Sequence, residues 1–324
     1  MPIKIQYRWF SRPALHYLFD IQRLSMENGP GLRTTLFFAG CPLSCPWCHN
    51  PEGQPDQPVL LYFQDRCIKC GNCEHVCVDN ALDYDPETGP KINYSNCTGC
   101  GKCADVCPAE SLLMSAKQYS VKDIMQIVLR DRPYYDRSQG GVTLSGGEPL
   151  AQDVGALEAL MKEIKKEKIN LSIDTSGAIP RLNLETALKY ADSFLYDLKH
   201  LDPIKHKEFT KSDNRQILDN LIWLSKQDTV IHLRIPVIPG FNGEKEELEA
   251  MADWIAGNIT PETIALLPYH LFGRSKYVRM GLDGQRALFK VPSGDFMNKA
   301  LQLFLDKGLS QTGIGGAILA SKVK

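Results

Sequence analysis

Short apolar runs recur along this chain, separated by stretches in which apolar positions return every three or four residues. The run LRTTLFFA at 32–39 reads as a buried strand leading straight into GCPLSC. Five more runs follow, at 142–145 (VTLS), 169–174 (INLSID), 194–198 (FLYDL), 230–235 (VIHLRI) and 263–267 (TIALL). Between them, Val154, Leu157, Leu160, Met161 and Ile164 share one helical face, and Ile217, Leu218, Leu221 and Ile222 share another. Ser120, with Asp123 three residues on, reads as a capping box opening a helix through about Leu129. Strands alternating with helices predict an α/β fold with a mostly parallel sheet. Six strand–helix repeats are too few for a closed eight-fold barrel, so the expectation is a partial (β/α)6 barrel. Chemistry in such folds gathers at the carboxyl ends of strands. The polar and glycine-rich motifs stand there in turn: GCPLSC, SGGEP, DTSG, DLK, RIPVIPG and LPYH.

Residues 54–115 break that rhythm. They show turn signals at Asp85-Pro86 and Gly89-Pro90 but no long helical period, and read as an inserted ferredoxin-like α+β module. The expected division is therefore 1–53 (extension, first strand and cysteine loop), 54–115 (insert) and 116–324 (the remainder of the barrel).

All 11 cysteines of the chain fall in iron–sulfur spacings. Cys41, Cys45 and Cys48 form C-x3-C-x2-C. Cys67, Cys70, Cys73 and Cys77 form C-x2-C-x2-C-x3-C, and Cys97, Cys100, Cys103 and Cys107 repeat it. Each quartet supplies the four thiolates of a 4Fe–4S cluster, whereas the triplet leaves one iron open for chemistry. The stretch between the quartets, 78–96, leaves room for a strand–turn–strand return. In two-cluster ferredoxins the fourth cysteine of each run serves the other cluster. The expected sets are thus Cys67, Cys70, Cys73 and Cys107, and Cys97, Cys100, Cys103 and Cys77. Zinc is the alternative for a lone C-x2-C pair, but the repeated 2-2-3 spacing speaks against it.

Composition adds exclusions. A net charge of −1 with 43% hydrophobic residues and no basic stretch speaks against nucleic acid or an anionic membrane as partner. No apolar run approaches the roughly 20 residues that span a bilayer. The opening segment MPIKIQYRWFSRPALH lacks a secretory pattern, and thiolates in cluster spacings need a reducing compartment, so the cytoplasm is expected.

The triplet with Trp47 before its third cysteine, followed by GGEP, resembles the radical S-adenosylmethionine superfamily. Finer motifs resemble its glycyl-radical-enzyme activating branch: FDIQRLSMENGPGLRTTLFFAGCPLSCPWCHNPEG, VTLSGGEPL, DTSG, YDLKHLD and LPYHLFGRSKYVRMG, spanning about Phe19 to Gly281. The resemblance implies an oxidoreductase that reductively cleaves S-adenosylmethionine and takes a hydrogen atom from a glycine of a partner enzyme. It implies three 4Fe–4S clusters, S-adenosylmethionine and a monovalent cation as cofactors. The partners implied are a glycyl radical enzyme and a flavodoxin- or ferredoxin-type reductant.

Roles follow from the same resemblance. Gly146, Gly147 and Glu148 would hold the methionyl ammonium, and Trp47, Cys48 and His49 would meet the adenine. Asp174, Thr175 and Asp197, with Leu198 beside them, would form an oxygen-rich pocket suited to a hard cation. Lys199, Arg234 and His270 are the catalytic candidates, the first two on the substrate carboxylate and the third on the ribose hydroxyls. Plainer readings stand beside these: a turn for GGE, core packing for Trp47, a turn cap for Asp174. His16, His75, His200, His206 and His232 read as ordinary surface or satisfied groups. Asn28 stands where the family usually carries Asp, at a position expected to face the incoming glycine loop. A radical enzyme acting on a small molecule and a multi-cluster electron carrier are the competing functions. The activator-type motifs disfavour the first, and the incomplete triplet disfavours the second.

Overall fold

The structure, a computed structural model, describes residues 15–282 and 289–315. The expectation about the extreme amino terminus concerns residues that lie mostly outside this range. Two strands come first, β1 (Leu15–Ser25) and β2 (Arg33–Phe38). Within 54–115 lie β3 (Leu60–Tyr62), β4 (Leu82–Asp85), β5 (Gly89–Ile92) and β6 (Leu112–Met114), with the short helices α1 (Asn72–His75) and α2 (Lys102–Asp105). The strands β7 (Lys117–Ser120), β8 (Gly141–Gly146), β9 (Asn170–Thr175), β10 (Ser193–Asp197), β11 (Val230–Val237), β12 (Thr263–Pro268) and β13 (Thr312–Ile314) follow. The helices around them are α3 (Val121–Arg130), α4 (Arg132–Ser138), α5 (Val154–Lys166), α6 (Arg181–Leu188), α7 (Pro203–Thr210), α8 (Arg215–Leu224), α9 (Lys245–Asn258), α10 (Arg274–Arg279) and α11 (Gly294–Asp306).

One nine-stranded sheet runs in the order β13-β12-β11-β10-β9-β8-β2-β1-β7. From β2 to β13 all neighbours are parallel. Beyond β2, β1 pairs antiparallel with it, and β7 antiparallel with β1. The six strands that periodicity predicts are all present, shifted by a residue or two at their ends. Three others escape that reading for local reasons. β1 carries Asp20 and Arg23 and slips register twice against β2, which erases its alternation. β7 is a polar edge strand (KQYS), and β13 is a very short one (TGI). The capping box is as predicted: Ser120 Oγ accepts from Asp123 N (3.2 Å), and Asp123 accepts from Ser120 N (3.1 Å).

Alternation divides the parallel strands into two faces. One face presents Leu36, Phe38, Val142, Leu144, Ile173, Phe194, Leu233 and Leu266 to helix residues such as Leu160, Ile164 and Leu221, forming the core. The other face is polar. Thr35, Thr143, Ser172 and Ser193 line up across four strands, and the Ser172 and Ser193 hydroxyls are hydrogen-bonded at 2.9 Å. Arg33, at the start of β2, is fully buried and its guanidinium is met by neutral oxygens. It donates to Thr143 Oγ1 (2.6 Å), Pro30 O (2.9 Å), Val142 O (2.6 Å) and Asn170 Oδ1 (3.0 Å), and burial pulls its pKa down to about 10. Thr143 in turn donates to Asn28 O (2.6 Å), while the Asn28 amide donates to Ser25 Oγ (3.0 Å). The 28–30 segment is therefore fastened to the polar face by its carbonyls.

The insert has its own small core of Leu60, Leu82 and Leu112 with Cys73 and Cys103. β3 pairs with β6 across its two ends, and β4 with β5 forms a hairpin between the cysteine quartets. The two halves correspond position by position, with Cys67 matching Cys97 and each later residue matching in step. Gly71 and its counterpart Gly101 both take positive φ (75° and 82°) ahead of their helices, and the matched Asn80 and Glu110 share the same left-handed value (48°).

Candidate functional site

The triplet loop leaves the carboxyl end of β2, and the GGE turn leaves β8 beside it. Gly147 N donates to Phe38 O (2.8 Å), and Glu148 N donates to Gly40 O (2.8 Å), which ties the turn to the base of the cysteine loop. A Cβ on Gly146 would collide with the Phe38 backbone, and one on Gly147 with the carbonyls of Gly40 and Gly53. Both glycines are thus fixed by backbone packing before any ligand is considered.

Cys45 is buried, and Cys41 and Cys48 are half-buried. Burial pushes all three thiols up, Cys45 to about 12 even though the Lys199 ammonium opposes the shift. Buried thiols of this kind ionise when a metal takes their charge. Among the described residues, no three His, Cys, Asp or Glu side chains close on a single-ion site. Sulfurs on the corners of a cubane stand farther apart than the ligands of one ion, so the triplet's donor chemistry fits a cluster rather than a lone cation.

Four charged side chains, from three adjacent strands and the turn after β10, meet beside this loop. Arg234 pairs with Asp174 and donates from Nε to Asp197 Oδ1 (2.9 Å), and Lys199 Nζ donates to Asp197 Oδ2 (2.8 Å). Ser145 Oγ donates to Asp174 Oδ2 (2.7 Å). Burial opposes ionisation of both carboxylates. For Asp197 the two cations outweigh it and hold the pKa down at about 2, while Asp174, also facing Asp197, is raised. Lys199 is raised, because Asp197 and the thiols of Cys45 and Cys41 overcome its desolvation. An ammonium has three donors, so Lys199 can hold Asp197 and still offer protons toward the triplet.

Thr175 does not join those carboxylates. Its hydroxyl donates to Glu148 Oε1 (2.8 Å), and Ser176 donates to Glu148 Oε2 through both N (2.8 Å) and Oγ (2.7 Å). Glu148 is fully buried, and desolvation lifts its pKa to about 7 against those donors. Its carboxylate therefore clamps the DTSG turn, leaving its backbone for any contact with substrate. Leu198 packs its side chain in the core and donates its N–H to Arg234 O (2.9 Å).

Trp47 sits in an aromatic cluster, 4.3 Å between ring centroids from Phe241, with Phe209 and Phe289 around it. Here core packing and a place beside the cysteine loop coincide. His49 meets His270 edge-on, with centroids 4.5 Å apart, so the last predicted motif reaches the triplet loop. Sequence reasoning overlooked the helix that follows. From α10, Tyr277 Oη donates to Cys48 O (3.1 Å), and Lys276 Nζ reaches Asn50 Oδ1 and Glu52 Oε1, both at 2.6 Å. Gln54 Nε2 also donates to Cys45 O (3.1 Å). The signal was in the quoted SKYVR segment, but nothing in its periodicity says what it touches.

The other histidines divide. His75 is exposed, His200 Nδ1 accepts from Asp202 N (2.9 Å), and His232 Nδ1 bonds Thr263 Oγ1 (2.9 Å). His206 is buried and bonds Ser212 O through Nδ1 (2.6 Å). His16 and His206 together depart from the expectation of a surface or satisfied group: each is buried with an Nε2 that has no hydrogen-bond partner among the described residues, and for His16, packed against Phe38, burial drops the pKa to about 4.

In the insert the eight cysteines surround two small hollows of equal size. One is lined by Cys97, Cys100, Cys103 and Cys77, the other by Cys67, Cys70, Cys73 and Cys107. The fourth cysteine of each run thus faces the hollow of the other. Ala81 N donates to Cys77 Sγ and Ser111 N to Cys107 Sγ, each at 3.3 Å and at matching positions of the two halves. Such bonds suit thiolates that ligate iron.

Two family models match the chain, the Radical SAM superfamily over residues 95–255 and a 4Fe-4S dicluster domain over 66–111. The chain is 38% identical to the isethionate sulfite-lyase activating enzyme of Desulfovibrio desulfuricans, over 90% of this chain and 92% of that protein. It is 37% identical to the (2S)-3-sulfopropanediol dehydratase activating enzyme of Klebsiella oxytoca, over 92% and 95%. It is also 37% identical to the trans-4-hydroxy-L-proline dehydratase activating enzyme of Clostridioides difficile, over 92% and 99%. With the cysteine loop, the GGE turn and the strand-end charges gathered at the carboxyl ends of the parallel strands, the chain belongs to the radical S-adenosylmethionine superfamily, among the activating enzymes of glycyl radical enzymes.

Proposed function

We propose that this protein activates a partner glycyl radical enzyme from a site built on Cys41, Cys45 and Cys48, and that the convergence of this open triplet with Lys199 and the GGE turn carries the reading. A 4Fe–4S cluster held there would supply one electron to the sulfonium of S-adenosylmethionine, giving the 5′-deoxyadenosyl radical that takes a hydrogen atom from the partner's glycine. The protein's own part is to orient and to exclude water. The backbone of Gly146, Gly147 and Glu148 would take the methionyl ammonium, and Lys199 the carboxylate. Arg234 is held by two carboxylates and would act by fixing Asp174 and Asp197. Trp47, Cys48 and His49 would border the adenine, with His270 on the ribose. A monovalent cation at Asp174, Thr175 and Asp197 would have to displace Arg234 or Lys199, and the Thr175 hydroxyl would have to leave Glu148.

In the same reading the parallel strands form a partial (β/α)6 barrel, to which β13 adds a seventh parallel strand. Residues 54–115 are a ferredoxin-like insert between 1–53 and 116–324, and its two hollows hold one 4Fe–4S cluster each, three in all with the triplet. A flavodoxin- or ferredoxin-type protein would be the electron donor. Among the described residues no helix is long and apolar enough to cross a membrane.

The test is anaerobic reconstitution and reduction followed by S-adenosylmethionine. Methionine and 5′-deoxyadenosine should form, and Cys45→Ala should abolish them while iron in the insert is retained. A partner enzyme should acquire the doublet of a glycyl radical in electron paramagnetic resonance. Full cleavage by Cys45→Ala would sink the assignment.

A further inference from the structure

The segment 273–281 touches both iron-bearing regions of the chain. On one side, Tyr277 and Lys276 bind the triplet loop at Cys48 O, Asn50 and Glu52. Gly273 lies so close that a Cβ there would stand 3.1 Å from His49 O and 3.3 Å from Cys48 O. On the other side, Tyr94 Oη donates to Arg279 O (3.0 Å), and the Tyr94 ring packs on Gly281, leaving no room for a side chain. The Arg279 guanidinium sits 4.4 Å from the centre of the Phe63 ring, which also carries Arg66 at 4.3 Å. Tyr94 and Phe63 belong to the insert and are tied to its cysteines. Cys97 N donates to Asn93 O (3.2 Å), next to Tyr94, and Phe63 N donates to Ser111 O (2.7 Å), whose own N–H donates to Cys107 Sγ.

We propose that α10 and its flanks are a positioning strut, through which the insert, gripping at Tyr94 and Phe63, sets the placement of the Cys48–Glu52 stretch of the triplet loop. Tyr94, Arg279, Lys276 and Tyr277 are thus positioning residues for the radical reaction, acting through their contacts with the loop and the insert. A short helix held at both ends by hydrogen bonds and ring contacts moves as a unit, so loosening one end loosens the other. The strut makes the order of the catalytic loop depend on whatever docks on the insert. The proposal rests on the triplet loop being the iron-bearing loop.

The experiment is hydrogen–deuterium exchange on the reconstituted full chain, read at amides 44–54, with S-adenosylmethionine cleavage measured in parallel. Tyr94→Ala, changed from the insert side, should speed exchange in that loop about tenfold. Gly281→Ala, which drives a methyl into the Tyr94 ring from the other side, should do the same. Combining Tyr94→Ala with Tyr277→Phe should give less than the sum of the single effects, as for residues sharing one contact path. Tyr94→Phe, which keeps the ring packing, should recover most of the protection. Lys91→Ala, which breaks a surface pair with Asp85 in the same insert, should leave the loop unchanged. Unchanged loop exchange in both Tyr94→Ala and Gly281→Ala, with faster exchange confined to the insert, would overturn the strut. Additive effects in the double variant would overturn it too. No iron on the triplet in the unmodified protein would overturn both the strut and the reading beneath it.

Discussion

In the sheet, the core is aliphatic and aromatic, with Leu144, Ile173 and Phe194 packed against helices; in the insert, three leucines share the centre with the thiols of Cys73 and Cys103. The first core is complete as apolar surface and holds without help. The second is far below the size at which a hydrophobic core alone sustains a fold, and small domains of that kind depend on metals or other staples. The difference teaches that the same residue type plays opposite parts in one chain. Cysteines of the triplet sit on a loop that a rigid sheet holds in place, while cysteines of the insert are part of what holds their surroundings.

The largest expected effect breaks this comparison directly. Removing iron by chelation should leave the sheet folded, with its helical circular dichroism retained, while the insert becomes a protease target between 60 and 114. In small zinc modules metal binding carries folding free energy of about 10 kcal/mol, and ligation by the insert's thiolates acts in the same way. An insert that stays protease-resistant without iron would erase the distinction.

A second, smaller effect tests the sheet side. Glu148 is buried with a pKa near 7, above its ordinary 4.5. The folded state therefore binds its proton more tightly than the unfolded chain. The resulting stabilisation is full below about pH 4.5 and is lost as pH rises through 7, a span of about 3 kcal/mol. Denaturant midpoints measured across that window should fall with pH more steeply for the wild type than for Glu148→Gln, which has no such proton. Equal slopes would mean that Ser176 and Thr175 fully offset the desolvation.

The smallest effect sharpens the comparison within the insert. The Tyr62 hydroxyl and Cys67 Sγ face the same point above Gly89, and in the other half of the repeat the position of Tyr62 is held by Ile92. The Tyr62 hydroxyl has no hydrogen-bond partner among the described residues, so its dipole is free to turn toward a ligating Cys67 sulfur, and Tyr62→Phe should shift the reduction potential of one of the two clusters proposed for the insert and leave its twin alone. Potentiometric titration followed by electron paramagnetic resonance reads both. A common shift would show that the two halves are not electrically separate.

Much of this molecule was legible in advance because its signals are local. Cysteine spacing, the Ser120–Asp123 cap and period-two apolar runs each depend on residues near one another in sequence, and each appears where those rules put it. What stayed hidden depends on long-range packing. Arg33 reads as an ordinary basic residue at a strand start, yet it is buried among carbonyls from β8 and β9. Glu148 reads as a ligand to substrate, yet its oxygens answer to Thr175 and Ser176, at the far end of the next strand. The short strands β7 and β13 exist because a neighbouring strand offers them hydrogen bonds, a fact that no local pattern records.

The chain leaves and rejoins the body of the protein at almost the same point: Val59 and Ser115 are bonded to each other through Val59 N to Ser115 Oγ (2.9 Å) and Ser115 N to Val59 O (2.8 Å). Apart from the contacts of Tyr94 and Phe63 with 273–281, everything between them hangs from a narrow neck, so a tight turn could replace the whole pendant without pulling the sheet apart. A fold with such a neck can acquire, exchange or discard wiring of this kind while its sheet stays folded, and what goes with the pendant is the bracing of the Cys48–Glu52 stretch.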